Sequence, residues 1–439
     1  ALCGEAVVFT HHNAYEHFFS IQKQHVVMGT LTDRDGTVLA YTDESGTRRY
    51  NSNAATRKAV SQVVGDSSGK VSTGADTFHA QYLLGFRSSI FERLADAFTG
   101  TTQRGDDVEL TISERLSRYI SEQFPRDKRG AVVVLNYKTN EILALVSMPQ
   151  FDPTDMDSAL ADEAAGALVN RATQGLYPPG STFKTVTALA GMEYLSDWQS
   201  FQVECTGERV FQDKVIHCYN NKVHGMVDMK SALAYSCNCY FAALADEIGA
   251  GKLAKTMRQV GMDADSRFEL ETSRNSIYLA KGATESELVE TAIGQGRTGV
   301  TPLYMAMLAS AFANDGMMMK PYIVDHVVYP DGTETKNTVP EKLTEICTAE
   351  EAAAIRDMMV GVVSGGTGTA AAINGVTVAG KTGTAENATG YDHSWFIGFA
   401  PYENPVAAIA IVIENDAEHT ATALAGDVLQ VAVETLGGN

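Results

Sequence analysis

The sequence predicts an α+β fold: an antiparallel sheet flanked by helices, interrupted by a large helical insert and preceded by a small strand-rich domain. Three observations predict it. The run "GAVVVLNYKTNEILALVSMP" holds two apolar, β-branched stretches around the turn "YKTN", which reads as a hairpin from Ala131 to Met148. Four later stretches carry apolar residues at helical spacing: "STFKTVTALAGMEYL", "MKSALAYSCNCYFAALADEIG", "ESELVETAIG" and "TPLYMAMLASAFANDG". Strand-like runs then return in "GVTVAGKTGTAE" and "SWFIGFAPYENPVAAIAIVIEN", before a closing helix "TALAGDVLQVAVETL".

Taken in chain order, the N-terminal region opens with "GTLTDRDGTVLAYT", a strand, a hairpin-type turn at "DRDG" and a second strand. "DSSGKVSTGADT" reads as a polar, Gly-rich loop. This extended region ends near Gly105, dividing the chain into residues 1–106 and 107–439. In "VELTISERLSRYISEQF" the Ser/Glu start and the helical spacing place a helix from near Ser113. The hairpin follows, then the helical insert, then the returning strands.

The 439 residues leave room for more than one domain. Hydrophobic residues at 44% and charged residues at 20% match a globular protein and exclude a collagenous or disordered chain. A net charge of −20 argues against nucleic acid, whose binding needs Lys and Arg to neutralise phosphates, and lends no support to docking on anionic lipid. No run approaches the roughly 20 apolar residues that span a bilayer. The chain starts at Ala rather than Met, so a processed form that has lost an anchor is compatible with it.

Chemistry enters at "YPPGSTFKTV". Ser181 and Lys184 stand three residues apart at the mouth of an apolar helix, a spacing that puts hydroxyl and amine on one face. The bland reading is a helix start, because Ser caps helices and Pro and Gly punctuate loops. Two further groups decide against it. Ser236 and Asn238 form a Ser-x-Asn in "AYSCNCYF", between helical segments. Lys381, Thr382 and Gly383 stand in "VAGKTGTAE", on a predicted strand. Each alone reads as a cap, a turn or a solvated charge. Together, in this order, they match the Ser-x-x-Lys, Ser-x-Asn and Lys-Thr-Gly signature of serine enzymes acylated by β-lactams.

From about Asp107 onward the chain resembles the transpeptidase domain of penicillin-binding proteins of the class B, monofunctional kind. The resemblance lies in "NRATQGLYPPGSTFK", "IGQGRTGVTPLYMAMLASAFANDG", "GKTGTAE" and "WFIGFAP". "GTLTDRDGTVLA" is similar to the start of the class B pedestal, here of compact type. The resemblance implies a transpeptidase/β-lactamase-like fold and a D,D-transpeptidase that cross-links peptidoglycan stem peptides and is covalently inhibited by β-lactams. It implies Ser181 as nucleophile and Lys184 as its base, the lysine's pKa lowered by desolvation and by the cation Lys381. Ser236, with Lys381 behind it, would relay the proton to the leaving amine, and Asn238 would hydrogen-bond the peptide amide. Thr382 and Thr384 would bind the substrate carboxylate, and Gly383 would leave room for substrate backbone along the strand. The backbone N–H groups of Ser181 and Thr384 would form the oxyanion hole. Gln295 reads as a structural loop residue near the site. The resemblance further implies a membrane glycosyltransferase partner and a place on the extracytoplasmic face of the bacterial membrane, held by an N-terminal segment absent from this chain. A D,D-carboxypeptidase, a β-lactam sensor and, last, a serine β-lactamase are the competing readings.

Of six cysteines, four fall between Cys205 and Cys239. Cys205, Cys218, His224 and Cys237 are separated by twelve, five and twelve residues, a donor set suited to a closed, structural zinc site. No cofactor is expected for catalysis itself. A Cys205–Cys218 disulfide ranks second and four buried thiols third, with Cys239 and His217 as substitute ligands. Cys3 and Cys347 read as unpaired. Because Cys237 lies inside the Ser-x-Asn group, a metal there would brace Ser236 and Asn238.

Overall fold

The computed structural model describes residues 26–67, 74, 103–161, 166–212, 214–280, 282–386 and 390–437. Cys3 and most of the "DSSGKVSTGADT" stretch lie outside the described residues.

The organising element is a five-stranded antiparallel sheet. Strands β1 (Gly130–Asn136) and β2 (Ile142–Met148) form the expected hairpin. Three strands from the C-terminal end complete it: β3 (Ala379–Ala385), β4 (His393–Ala400) and β5 (Ala407–Ile413), in the order β3-β4-β5-β1-β2. Side chains alternate across a strand, so each strand feeds two cores. Val133, Ala410 and Ile397 face one core together with the helical insert. Val132, Ile411 and Phe396 face the other, against Leu424, Val428 and Leu429 of the C-terminal helix Ala421–Leu436 and Leu116 and Ile120 of the helix Glu114–Gln123. Burial on both faces is why these strands read as unbroken apolar runs. Ser113 caps the helix Glu114–Gln123, its side chain accepting from the Leu116 N–H, as the sequence predicts.

Lys381 stands on β3 itself, while the insert between β2 and β3 carries the Ser181–Lys184 and Ser236–Asn238 groups. At its centre the helix Pro302–Ala313 has all twelve residues buried and no charge, the pattern of a helix surrounded by protein. It packs on β5, β1 and β4, while α1 (Lys184–Tyr194) and α2 (Asn238–Ile248) pack against each other. The long apolar stretch from Met229 does not form one helix. It breaks after Ala234, and Ser236 takes a left-handed φ of 57° before α2 begins.

A second five-stranded sheet holds the N-terminal strands Leu31–Thr32, Val38–Thr42 and Arg48–Tyr50. The turn at Asp33–Gly36 is as predicted: Asp33 Oδ1 accepts from the N–H groups of Asp35 and Thr37, and Gly36 has φ 79°. The sheet continues through Asp107–Leu110, parallel to Leu31–Thr32, and ends on Val324–Val328. The boundary drawn after residue 106 therefore passes between strands of one sheet.

Candidate active site

The nucleophile turn is built by close packing. Gly180–Phe183 is a 3-10 turn that runs directly into α1. In such a turn positions i and i+3 eclipse, which aligns Ser181 with Lys184 better than an α-helix would. Ser181 is therefore not the helix cap that the bland reading makes it. The turn leans on β3 so closely that a Cβ on Gly180 would lie 2.4 Å from the Thr384 carbonyl oxygen. Trp395 of β4 fixes the preceding loop, its Nε1 donating to the Pro178 carbonyl at 3.1 Å.

Lys184 and Lys381 are both fully buried. Lys184 Nζ lies 3.0 Å from Ser181 Oγ, 2.8 Å from the Ser236 carbonyl, 3.2 Å from Ser236 Oγ and 2.5 Å from Asn238 Oδ1. Lys381 Nζ reaches Ser236 Oγ at 3.1 Å and the Thr382 carbonyl at 2.9 Å. All three motifs thus converge on one hydroxyl, Ser236 Oγ. Burial lowers Lys184 from 10.5 to about 8, partly offset by the neighbouring cysteine sulfurs. Burial first, and then the charge of Lys184, hold Lys381 well below 10.5. The like-charge effect expected on Lys184 therefore falls on Lys381 instead, and desolvation alone lowers Lys184.

Asn238 opens α2 and joins two sides of the site. Its Oδ1 faces Lys184, and its Nδ2 donates to the His217 carbonyl at 2.7 Å. One Nδ2 hydrogen is left for a substrate carbonyl. Ser181, Ser236, Asn238, Gln295, Thr382, Gly383 and Thr384 line one cleft of about 640 Å³. Gly383 is needed for a reason other than substrate room. A Cβ there would lie 2.9 Å from both Thr182 Cγ2 and Trp395 Cβ, so the missing side chain admits the nucleophile turn.

The cysteine group forms beside this cleft. Gly225–Val227 pairs with Val203–Cys205 in the register Gly225↔Cys205, which brings His224 next to Cys205. The hairpin of Glu208–Phe211 and Lys214–His217 returns the chain so that the Cys218 N–H bonds the Gly207 carbonyl. Sγ–Sγ separations are 3.6 Å for Cys205–Cys218 and 3.8 Å for Cys218–Cys237, and His224 Nδ1 is 3.4 Å from Cys205 Sγ. All four donor atoms lie within 4.8 Å of one another. A tetrahedral zinc with Zn–S bonds of about 2.3 Å has S–S edges of about 3.8 Å, so the donor set fits the ion. A disulfide needs about 2.05 Å, and these sulfurs are separate thiols. Cys239 Sγ lies 3.7 Å from Cys218 Sγ as a fifth neighbour. His217 points instead to Asn221 Oδ1, 2.9 Å from its Nδ1. Cys347 is buried elsewhere and free.

Two features of the cleft carry no sequence expectation. Tyr219 and His419 meet across it, with Tyr219 Oη 3.4 Å from His419 Nε2. Thr367 Oγ1 lies 2.6 Å from Thr382 Oγ1. The run "SGGTGTA" just after a helix was the available signal for Thr367, but it reads equally well as a plain helix stop.

Residues 130–433 match the penicillin-binding protein transpeptidase domain. The peptidoglycan D,D-transpeptidase PbpA of Mycolicibacterium smegmatis is 33% identical over 414 residues, 87% of this chain and 82% of that protein. The peptidoglycan D,D-transpeptidase MrdA of Acinetobacter baumannii is 31% identical over 352 residues, 71% of this chain and 51% of that protein. Among solved structures, the D,D-transpeptidase domain of a peptidoglycan glycosyltransferase from Eggerthella lenta superposes with a TM-score of 0.83 at 32% identity, covering 94% of this chain and 99% of that one. Penicillin-binding protein A from M. tuberculosis, as its imipenem acyl-enzyme, gives a TM-score of 0.83 at 29% identity, covering 94% and 100%. The matched span holds the Ser181, Ser236 and Lys381 motifs in one cleft and takes in well over half of the 439 residues, so the chain belongs to the penicillin-binding protein transpeptidase family.

Proposed function

We propose that the protein is a serine D,D-transpeptidase that cross-links peptidoglycan stem peptides through an acyl-enzyme on Ser181. The observation that supports this best is the surroundings of Lys184 Nζ. A neutral amine has two hydrogens and one lone pair. The Ser236 carbonyl and Asn238 Oδ1 accept the two hydrogens, which leaves the lone pair for the Ser181 hydroxyl at 3.0 Å. In this reading Ser181 Oγ gives its proton to Lys184 and attacks the carbonyl between two D-alanines. The tetrahedral intermediate sits against the backbone N–H groups of Ser181 and Thr384, each such donor contributing about 3 kcal/mol. Ser236, bonded to both lysines, passes the proton to the departing D-alanine amine, whose C–N bond breaks. An amine of a second stem peptide then attacks the ester, its proton returns to Ser181 Oγ, and a new peptide bond replaces the ester. With a β-lactam the ring amide opens the same way, but the leaving nitrogen stays tethered and the ester persists. A fluorescent penicillin should label the protein one-to-one and Ser181→Ala should not be labelled; undiminished labelling of that variant overturns the assignment.

The reading extends to the whole protein. Residues 1–106 would serve as a pedestal holding residues 107–439 off a membrane, with a membrane glycosyltransferase supplying the glycan strands on the extracytoplasmic face. Family membership supports this. Among the described residues no helix is long and apolar enough to cross a membrane. Cys205, Cys218, His224 and Cys237 would hold a structural zinc, which neutralises the clustered thiolates and fixes the start of α2.

A further inference from the structure

We infer that Thr367 is a substrate-positioning residue that completes the pocket for the substrate's terminal carboxylate, an inference that rests on the Ser181 transpeptidase reading above. Thr367 follows the helix Ala349–Gly365 in the loop "GGTG". Two anchors hold it between the second and third motifs. Its N–H bonds the Ala234 carbonyl at 3.0 Å, two residues before Ser236. Gly366 packs so tightly there that a Cβ would lie 2.2 Å from the Ala234 oxygen. On the other side Thr367 Oγ1 meets Thr382 Oγ1 at 2.6 Å, and both residues line the catalytic cleft.

Two hydroxyls at that distance share one hydrogen, because only one of the two can point between the oxygens. The other hydrogen stays uncommitted, whichever residue donates. A hydroxyl that accepts one hydrogen bond also donates the next more strongly. The pair therefore offers the cleft a polarised O–H on the strand that carries Lys381. An anion is the ligand that such a group suits, and in the transpeptidase reading the anion at Thr382 is the carboxylate of the terminal D-alanine, or of a β-lactam in its place. A hydrogen bond to a charged group contributes enough for a tenfold or larger effect on binding when one partner is removed.

The test uses the full chain and two probes, benzylpenicillin and its methyl ester, with acylation followed by stopped-flow. Thr367→Val keeps the shape and removes the hydroxyl; Thr367→Ser restores it. The Val variant should lose about tenfold in the second-order acylation constant for the acid, mostly as weaker binding and not as a slower acylation step. It should react with the ester as wild type does, and the Ser variant should recover the acid rate. Equal losses for acid and ester would make Thr367 a structural brace of the Ser236 turn and overturn the inference, as would an unchanged acid rate. A wild-type protein that does not distinguish acid from ester would instead refute the carboxylate role of Thr382. Absence of acylation by either probe would refute the transpeptidase reading itself.

Discussion

Lys184 is the residue on which the chemistry turns. It is fully buried, and burial brings it to about 8, so at neutral pH roughly a tenth of the molecules hold it neutral. A lysine lowered in this way is protonated below about 8 and neutral above. The second-order acylation constant for a penicillin should therefore climb nearly tenfold per unit between pH 6 and 7.5 and level off above about 8.5. A flat profile over that range would show that proton removal by this lysine does not limit acylation. Lys184→Arg installs a charge that cannot be shed near neutral pH. Acylation should fall by 10²- to 10⁴-fold, the usual share of a general base, while the melting temperature stays within a few degrees. Ser236 carries a different burden. Its φ of 57° is left-handed, which costs a non-glycine residue on the order of 1 kcal/mol. Ser236→Gly should hold or raise the melting temperature while slowing acylation by at least tenfold. A variant that loses both stability and activity would mean that the hydroxyl braces the fold more than it serves the reaction.

At the scale of the element, the start of α2 and the cysteine group behave as one unit. Cys237 precedes Asn238, and Asn238 Nδ2 is tied to the carbonyl of His217, the neighbour of Cys218. Purified protein should contain about one zinc per chain, measured by elemental analysis. His224→Ala should lower both metal content and melting temperature, and a chelator should slow acylation without abolishing slow labelling of Ser181. Metal-free protein with full activity would leave the four residues as buried thiols. The sequence carries this unit only in part. The donors are visible as residue types, and Ser181–Lys184 is visible because both lie within one turn. The hairpin β1–β2 and the helix Pro302–Ala313 are visible because their apolar pattern is local. What is not visible depends on contacts between distant segments. The face on which Gly383 lacks a side chain is set by Thr182 and Trp395, so a role read from the strand alone points to substrate instead of to the nucleophile turn. Thr367 acquires meaning only where its loop meets Ala234 and Thr382. The division of pKa effects between two lysines depends on which is the more desolvated, and no spacing encodes that.

For the whole molecule, the question is how the N-terminal strands are joined to the catalytic body. Asp33 Oδ2 accepts from the Glu114 N–H, Arg34 pairs with Glu141 at 2.7 Å, and Arg57 grips Asp152 with two bonds of 2.8 Å. Burial pushes Asp152 up, but bonds from Arg57 and Thr154 outweigh it and hold the carboxyl at about 2, below its ordinary 3.8. That stabilisation is present above 3.8 and is lost as pH falls through about 2. Arg57→Ala should cost about 1 kcal/mol, because the pair is partly solvated, and lower the melting temperature by about 2 °C with acylation unchanged. A large loss of acylation would instead mean that the junction transmits strain to the cleft. The sheet order has a last consequence. β3 is an edge strand, with seven residues, no proline and, among the described residues, an unpaired side. In most proteins such an edge templates association with other copies and is blunted or covered. In the transpeptidase reading this edge must stay open to receive a peptide, so its protection would come from the walls of the cleft. The Ser236 turn, the Tyr219–His419 contact and Thr367 line the cleft that runs along this edge. The residues that line the cleft therefore also stand where a strand from a second copy would have to approach β3.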